Sequence, residues 1–578
     1  MRFQRTSRIF CALLAGGLAG GVSASGSEAL AQTAEGIAVV ATNAAPGLAP
    51  LVETPPYAAP PAPEPVLSAE AAAFRAALRA EMGGLSDADR VAVEGFYADR
   101  DFQPYWTAAG SASPRVLIAA LEASAGQGLP SARYDPAGLA ALFSAEGTPP
   151  GRAEVAATRA YLLYGGDLGA GVLRPSKIDP EIAVRPSRPP AEALLAKLQD
   201  QPLDAVLVEL APRDPRYGAL IAERGRLEAL ALSDAWGPAV ASGPTLHEGE
   251  TGPRVAALRA RLARLGYGAP SGEVAQAMFD RSLVGSVRAF QRDHGLNEDG
   301  AVGQHTLSEI NTSARDRLSQ VLVNLERMRW QGAGFGSRYV IVNIPDYSVV
   351  VYEGDAPVWR TKAVVGEAHK TQTAEFSDVM SYMVINPSWH VPSSIAKRVY
   401  LPKLRKDPGV LARSNMQLMT PAGTVINPAL VDFAALEGSF PFRIRQSPSD
   451  GNALGKVKFI FPNDFSIYLH DTPHRELFAK DARAFSNGCV RVEDPDELAA
   501  LLLRGQVDDP EARFDAWVAA KSERTVTLDN PIPVHIVYRT AFVDDAGVVR
   551  YRDDVYGRDA EVLGALEAAG VTLPEARG

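Results

Sequence analysis

The chain has 578 residues, 46% of them hydrophobic, with a formal net charge of −10 and only two cysteines. That length exceeds what one hydrophobic core organises, so several domains are expected. The negative balance and the lack of a basic tail argue against a nucleic-acid partner.

Residues 1–31 have the make-up of a secretory signal peptide. Arg2, Arg5 and Arg8 precede an apolar run from Ile9 to Val22, and Ala29-Leu30-Ala31 offers a cleavage site before Gln32. A retained membrane anchor is the competing reading, but Gly16, Gly17, Gly20 and Gly21 dilute a run that is already short for a bilayer. Cys11 falls in this leader, so the processed chain is expected to carry one thiol, Cys489, with no partner for a disulfide in an oxidising compartment. Residues 32–66 are rich in Ala and Pro and read as a disordered or semi-extended linker.

Residues 67–243 are expected to form a helical scaffold domain. Apolar spacing places helices over Glu70–Met82, from Asp89 to Tyr97 and on into Asp101–Trp106, and over Arg115–Ala125, Ala153–Leu168 and Ala191–Leu198. Residues 244–312 read as a small three-helix module. Val255, Leu258, Leu262 and Leu265 share one helical face, Val284, Val287 and Phe290 repeat the pattern, and Thr306-Leu307 opens a third helix. Residues 313–336 follow as a linking helix, with Leu318, Val321, Leu322, Leu325 and Met328 at helical spacing.

From residue 337 to 578 the pattern turns to short β-branched runs, the mark of a mainly β domain: Tyr339–Ile344, Val349–Tyr352, Lys362–Gly366, Met380–Asn386 and Phe465–His470. Residues 391–450 interrupt them with helix-like and loop segments. Pro533–Thr540 and Val548–Tyr551 read as a hairpin that completes the same sheet. The fold class is therefore multidomain α+β.

The chemistry concentrates near the end of this region. Ile467-Tyr468-Leu469-His470-Asp471-Thr472 reads as a strand ending in histidine, and nineteen residues later Ser486-Asn487-Gly488-Cys489-Val490-Arg491-Val492 puts the thiol just after a tight turn. A thiol beside a neutral imidazole makes an activated nucleophile, and a glycine before it lets backbone N–H groups approach a substrate oxygen. A lone cysteine is otherwise a small buried hydrophobe, but such a residue needs neither Ser-Asn-Gly before it nor Arg491 after it. Arg491 shares a face with Cys489 on an extended segment, where it binds a carboxylate or buttresses the loop; both readings stay open. Pro473 disfavours a helical metal-ligand pair of His470 and His474, and no metal or other cofactor is expected.

Together these residues resemble the signature of the L,D-transpeptidases with a YkuD-type catalytic domain, bacterial cysteine enzymes that cross-link peptidoglycan stem peptides. Asn487 departs from the pattern, where histidine is commoner. Phe96–Phe102, Gly128-Leu129-Pro130 and Asn386-Pro387-Ser388-Trp389 extend the likeness to YcbB-like multidomain members. Residues 244–312 resemble a peptidoglycan-binding module; a purely structural domain is the alternative. The resemblance implies Cys489 as nucleophile and His470 as general base, an oxyanion loop of Ser486, Asn487 and Gly488, and substrate contacts from Arg491 and Tyr468. It implies 3→3 cross-linking through a thioester in the periplasm, peptidoglycan stem peptides and glycan as partners, and residues 391–450 as a cap over the site. Hydrolysis to an L,D-carboxypeptidase, attachment of envelope proteins as acyl acceptors, and a non-catalytic wall-binding scaffold are the alternatives.

Overall fold

In the computed structural model the chain is described over residues 67–268, 277–332, 334–436 and 439–574. The signal peptide expected at 1–31, with Cys11, and the linker expected at 32–66 lie outside the described residues. Among the described residues no helix is long and apolar enough to cross a membrane.

The first part is helical. Ala69–Glu81, Asp87–Ala98, Ser113–Glu122 and Pro150–Ala170 pack around a core that includes Leu78, Tyr97, Trp106, Leu117 and Tyr161. Ser68 and Ser86 accept from backbone N–H groups at the first two helix starts, as N-caps do. The second helix does not run on to Trp106. It ends at Ala98, and the chain turns through Asp101 and Phe102 at positive φ. Buried Glu154 holds the stretch beyond by accepting from the N–H groups of Tyr105, Trp106 and Thr107, so a distant carboxylate overrides the local helical pattern. Helices at Pro136–Ser144, Leu203–Leu210 and Pro215–Ala231 add to this part and were not expected from spacing. The small module holds helices Pro253–Arg264, Arg281–Asp293 and Gln304–Asn311 around Leu258, Leu262, Val287 and Phe290.

The helix Ala314–Trp330 is more than a link. It opens on a capping box of Ser313 and Asp316 and is buried along most of its length, charged residues included. Asn324 exchanges hydrogen bonds with Thr540, Glu326 accepts from the Leu173 N–H and pairs with Arg329, and Arg327 pairs with Asp559. One helix thereby fixes the helical part against the β part.

The β part is built on nine strands. Their order is 484–486, 356–366, 490–492, 469–470, 457–460, 376–385, 524–537, 338–343 and 348–353. The last pairs back onto Ala356–Gly366, so the sheet closes on itself and does not split into two facing sheets. The long strand Ala356–Gly366 makes closure possible: its first half pairs with Ser348–Glu353 and its second half with Val490–Val492. Inward side chains, among them Val340, Val351, Val365, Phe459, Leu469, Val490 and Val534, form the core.

Arg524–Val537 is a central strand, parallel to Arg338–Asn343 and antiparallel to Phe376–Ile385. The terminal hairpin is instead Ala541–Val543 with Val549–Tyr551. It forms its own two-stranded sheet and packs Ala541, Val543 and Tyr551 against Leu318, Val321 and Leu322 of the long helix. The expected hairpin of Pro533–Thr540 with Val548–Tyr551 is thus corrected: Pro533–Val537 does join the main sheet, as part of Arg524–Val537, while Val549–Tyr551 pairs with Ala541–Val543 against the helix.

Residues 391–450 hold a small body with its own core of Leu401, Leu404, Leu411, Leu418 and Ile444. Its centre is a four-stranded sheet of Trp389–His390, Arg443–Gln446, Met416–Met419 and Val425–Ile426, strands too short for the alternation to register. Two buried amides hold its exits. Asn386, at positive φ, donates to the carbonyls of Trp517 and Val518, and Asn452 donates to that of Pro387.

Candidate functional site

Sheet register decides what meets at Cys489. Leu469-His470 runs parallel to Val490–Val492, with Leu469 opposite Val490 and His470 opposite Arg491; across the other edge His470 lies opposite Lys458. Leu469, Val490, Val492, Val457 and Phe459 are fully buried in the core. Because successive side chains alternate between faces, Tyr468, His470, Cys489, Arg491 and Lys458 share the opposite face.

The turn that delivers Tyr468 is set by Asn463. Its amide donates to the carbonyls of Phe461 and Ile467, both at 2.7 Å, and its oxygen accepts from the Ile467 N–H at 3.1 Å. The thiol turn is pinned by Ser486, whose hydroxyl donates to the Cys489 carbonyl at 2.5 Å and accepts from the Gly488 N–H at 3.1 Å. Thr371 and Thr373 brace it from behind, donating to the carbonyls of Ser486 at 2.9 Å and Gly488 at 2.8 Å. Gly488 sits at φ +114°, a conformation that a side chain would strain. The Gly488 N–H, expected to face a substrate oxygen, is therefore taken by Ser486. Among the described residues the Cys489 N–H has no partner and is the donor left for an oxyanion.

His470 is 5% exposed and its Nδ1 lies 2.5 Å from the Asp471 carbonyl. That contact places the ring hydrogen on Nδ1 and leaves Nε2 as an acceptor. Burial, and then the charge of Arg491, lower its pKa to about 3, so the ring is neutral at neutral pH. Asp471 is held by the Lys456 N–H at 2.8 Å, and Gly455 at φ +59° makes room for its carboxylate.

Cys489 is half-buried, and its thiol donates to the Ser466 carbonyl at 3.6 Å; it makes no direct hydrogen bond to His470. Burial pushes the thiol upward, opposed by hydrogen bonding from Tyr468 and by the positive charges of Arg491 and Lys458. Tyr468 is raised by burial and by its proximity to the same sulfur. Arg491 makes no ion pair among the described residues, and its buried Nε lacks a hydrogen-bond partner. Its own pKa is lowered by burial. His474 lies exposed beside Glu476, apart from this group.

Two charged contributors were not foreseen. Lys458 is a lone cation in an apolar strand, and only the strand order reveals its neighbours. Arg398, on a π-helical turn at Ala396–Tyr400 of the inserted body, donates to the Asn487 side-chain oxygen. The inserted body thus touches the thiol turn at Asn487.

A half-buried thiol, a neutral imidazole and a guanidinium without an ion pair among the described residues therefore share one face of the sheet. Comparison with known proteins finds matches over three segments. Residues 337–515 match the model described as "L,D-transpeptidase catalytic domain", residues 91–223 a "Scaffold domain", and residues 251–310 a "Putative peptidoglycan binding domain". The chain therefore carries a YkuD-type L,D-transpeptidase catalytic domain together with a peptidoglycan-binding domain. A Haemophilus influenzae protein named "Putative L,D-transpeptidase" is 33% identical over 254 residues, 44% of this chain and 51% of that protein. The chain thus spans about half the length of this curated relative. Solved L,D-transpeptidases from Xylanimonas cellulosilytica (15% identity, 52% of this chain, 100% of that chain, TM-score 0.16) and Stackebrandtia nassauensis (11%, 52%, 97%, 0.19) also match, at scores that carry no weight for the fold.

Proposed function

We propose that the protein is a peptidoglycan L,D-transpeptidase that forms 3→3 cross-links between stem peptides through a thioester on Cys489. The observation that supports this best is the shared sheet face of Cys489, His470 and Arg491, with the Cys489 N–H free of partners among the described residues.

His470 Nε2 takes the thiol proton as the sulfur attacks the carbonyl after the third stem residue. Because the imidazole is weakly basic and the thiol is raised, a resting ion pair is disfavoured, and the proton moves together with attack. The Cys489 N–H stabilises the oxyanion, with Ser486 and Gly488 fixing its direction. The C–N bond breaks, terminal D-alanine leaves with the proton, and the thioester remains. An amine from a second stem then attacks, passes its proton to His470, and frees the thiol. Arg491 binds a stem carboxylate, which its unpartnered Nε supports over the buttress reading. Tyr468 orients the sulfur. No metal or organic cofactor enters these steps.

The domain reading of 67–243, 244–312, 313–336 and 337–578 goes with this proposal, with 391–450 as a cap over the site. So do export to the periplasm and glycan contact by residues 244–312. Water or an envelope protein's amine as acceptor would give a carboxypeptidase or an anchoring enzyme. Incubation with disaccharide-tetrapeptide tests the reading: a cross-linked dimer made by wild type and not by Cys489→Ala supports it, and tripeptide without dimer, even with added amine, moves it to hydrolysis. Unchanged substrate with wild-type protein would favour a non-catalytic wall scaffold.

A further inference from the structure

The helical part contains a cleft of about 1120 Å³ that the reaction above does not use. Its floor is one face of the helix Pro150–Ala170, with Ala156, Ala160 and Leu163. Its far wall is the extended segment Val184–Pro190, stiffened by prolines. Five arginines line it: Arg133, Arg159, Arg174, Arg185 and Arg188. This is a local excess of cation on a chain of net charge −10. The acidic side chains in the lining, Asp89 and Asp135, are engaged at their own helix starts, by Ser86 and by the Gly138 N–H.

The guanidiniums are prepared in two ways. Fully buried Asp167 lies beneath the cleft and holds Arg188 at 2.8 Å and Arg133 at 3.1 Å; Arg188 also donates to the Leu163 carbonyl at 3.0 Å. Gly166 lies against the Arg188 guanidinium and Gly84 against that of Arg159, where a Cβ would come within 2.4 Å and 2.8 Å. Arg159, Arg174 and Arg185 are exposed, and their guanidiniums have no hydrogen-bond or ion-pair partner among the described residues. Planar guanidinium forks match carboxylates in pairs. The volume exceeds what one small anion fills, and an apolar floor between cationic walls suits a chain with methyl and methylene groups between its charges.

We propose that this cleft binds a short peptide bearing two or more carboxylates. Stem peptides are of that class, and only this last identification rests on the transpeptidase reading.

The test is calorimetric titration of the full chain carrying Cys489→Ala, so that binding is read without turnover. The probes are N-acetyl-tetraglutamate amide, disaccharide-tetrapeptide and inorganic pyrophosphate. The expected result is binding of tetraglutamate that weakens with added salt. It should fall at least tenfold when Arg159→Glu, Arg174→Glu and Arg185→Glu are combined, with an unchanged circular dichroism melt. If that triple variant misfolds, Arg174→Gln with Arg185→Gln should still weaken binding several-fold. Cleft-dependent binding of the disaccharide-tetrapeptide would identify the stem peptide as occupant; tetraglutamate alone would leave a partner's acidic segment. Equal binding by wild type and charge variants would overturn the proposal, as would pyrophosphate binding with neither peptide bound. Neither result bears on whether Cys489 is acylated, so the two readings fail separately.

Discussion

Ser486→Ala removes one oxygen and so isolates what holds the thiol turn. Ser486 is 3% exposed, and its hydroxyl joins the Cys489 carbonyl to the Gly488 N–H. Alanine fits the space but leaves both backbone groups without that partner. An unpaired buried polar group costs about 1–3 kcal/mol; with the carbonyl of half-buried Cys489 at the low end, the two groups together should cost the native turn about 2–4 kcal/mol relative to locally opened states. At 1.36 kcal/mol per factor of ten, the Gly488 amide should exchange its hydrogen roughly 30–1000 times faster. Hydrogen exchange read by mass spectrometry on the segment 484–492 measures this, with the strand Val457–Ile460 as an internal control. The cross-linking kcat/KM should fall with it, because the Cys489 N–H loses its fixed direction. Exchange within about threefold of wild type would refute the assignment of Ser486 as the pin.

Other substitutions reach the remaining parts of the site. Arg491→Leu removes a positive charge beside Cys489, so the thiol pKa should rise further; carboxymethylation of Cys489, followed against pH, should show its midpoint displaced upward from wild type. His470 has a folded pKa lowered from 6.5 to about 3, so its burial contributes stability that is present above pH 6.5 and lost as pH falls toward 3; denaturant midpoints measured down that range should drop less in His470→Gln than in wild type. Gly455→Ala places a Cβ 2.1 Å from the Asp471 carboxylate at φ +59°, which should cost several kcal/mol locally and abolish cross-linking, with faster exchange confined to 455–472 as the check. Asn487→His exchanges the acceptor of Arg398 for an imidazole, and hydrogen exchange over 393–413 should quicken; an unchanged rate would show that the contact does not hold the inserted body.

The thiol turn and the histidine strand were legible because their signals are local: a Ser-Asn-Gly turn, a two-residue alternation and a fixed spacing. The closed sheet, and with it Lys458, was not, because strand order comes from pairings between distant segments. Arg398 was hidden for the same reason; it lies on an insertion whose docking point has no signature in its own neighbourhood. The helical pattern beyond Tyr97 misled because Glu154, about fifty residues on, gathers the backbone of Tyr105–Thr107. The expected terminal hairpin joined two segments that part company: Pro533–Val537 lies inside the main sheet, while Val549–Tyr551 takes Ala541–Val543 as its partner and packs on the long helix, a pairing that alternation alone does not specify. Gly488 was rightly seen as a turn residue, but which N–H it frees depends on the Ser486 rotamer.

The central claim is that Cys489 carries the acyl group. Intact-mass and peptide mass spectrometry, on protein quenched in acid during reaction with disaccharide-tetrapeptide and no amine acceptor, tests it most directly. The expected result is an adduct of disaccharide-tripeptide mass on the Cys489 peptide, released by hydroxylamine and absent from Cys489→Ala. Turnover by Cys489→Ala, or an acyl adduct on any other residue, would contradict it.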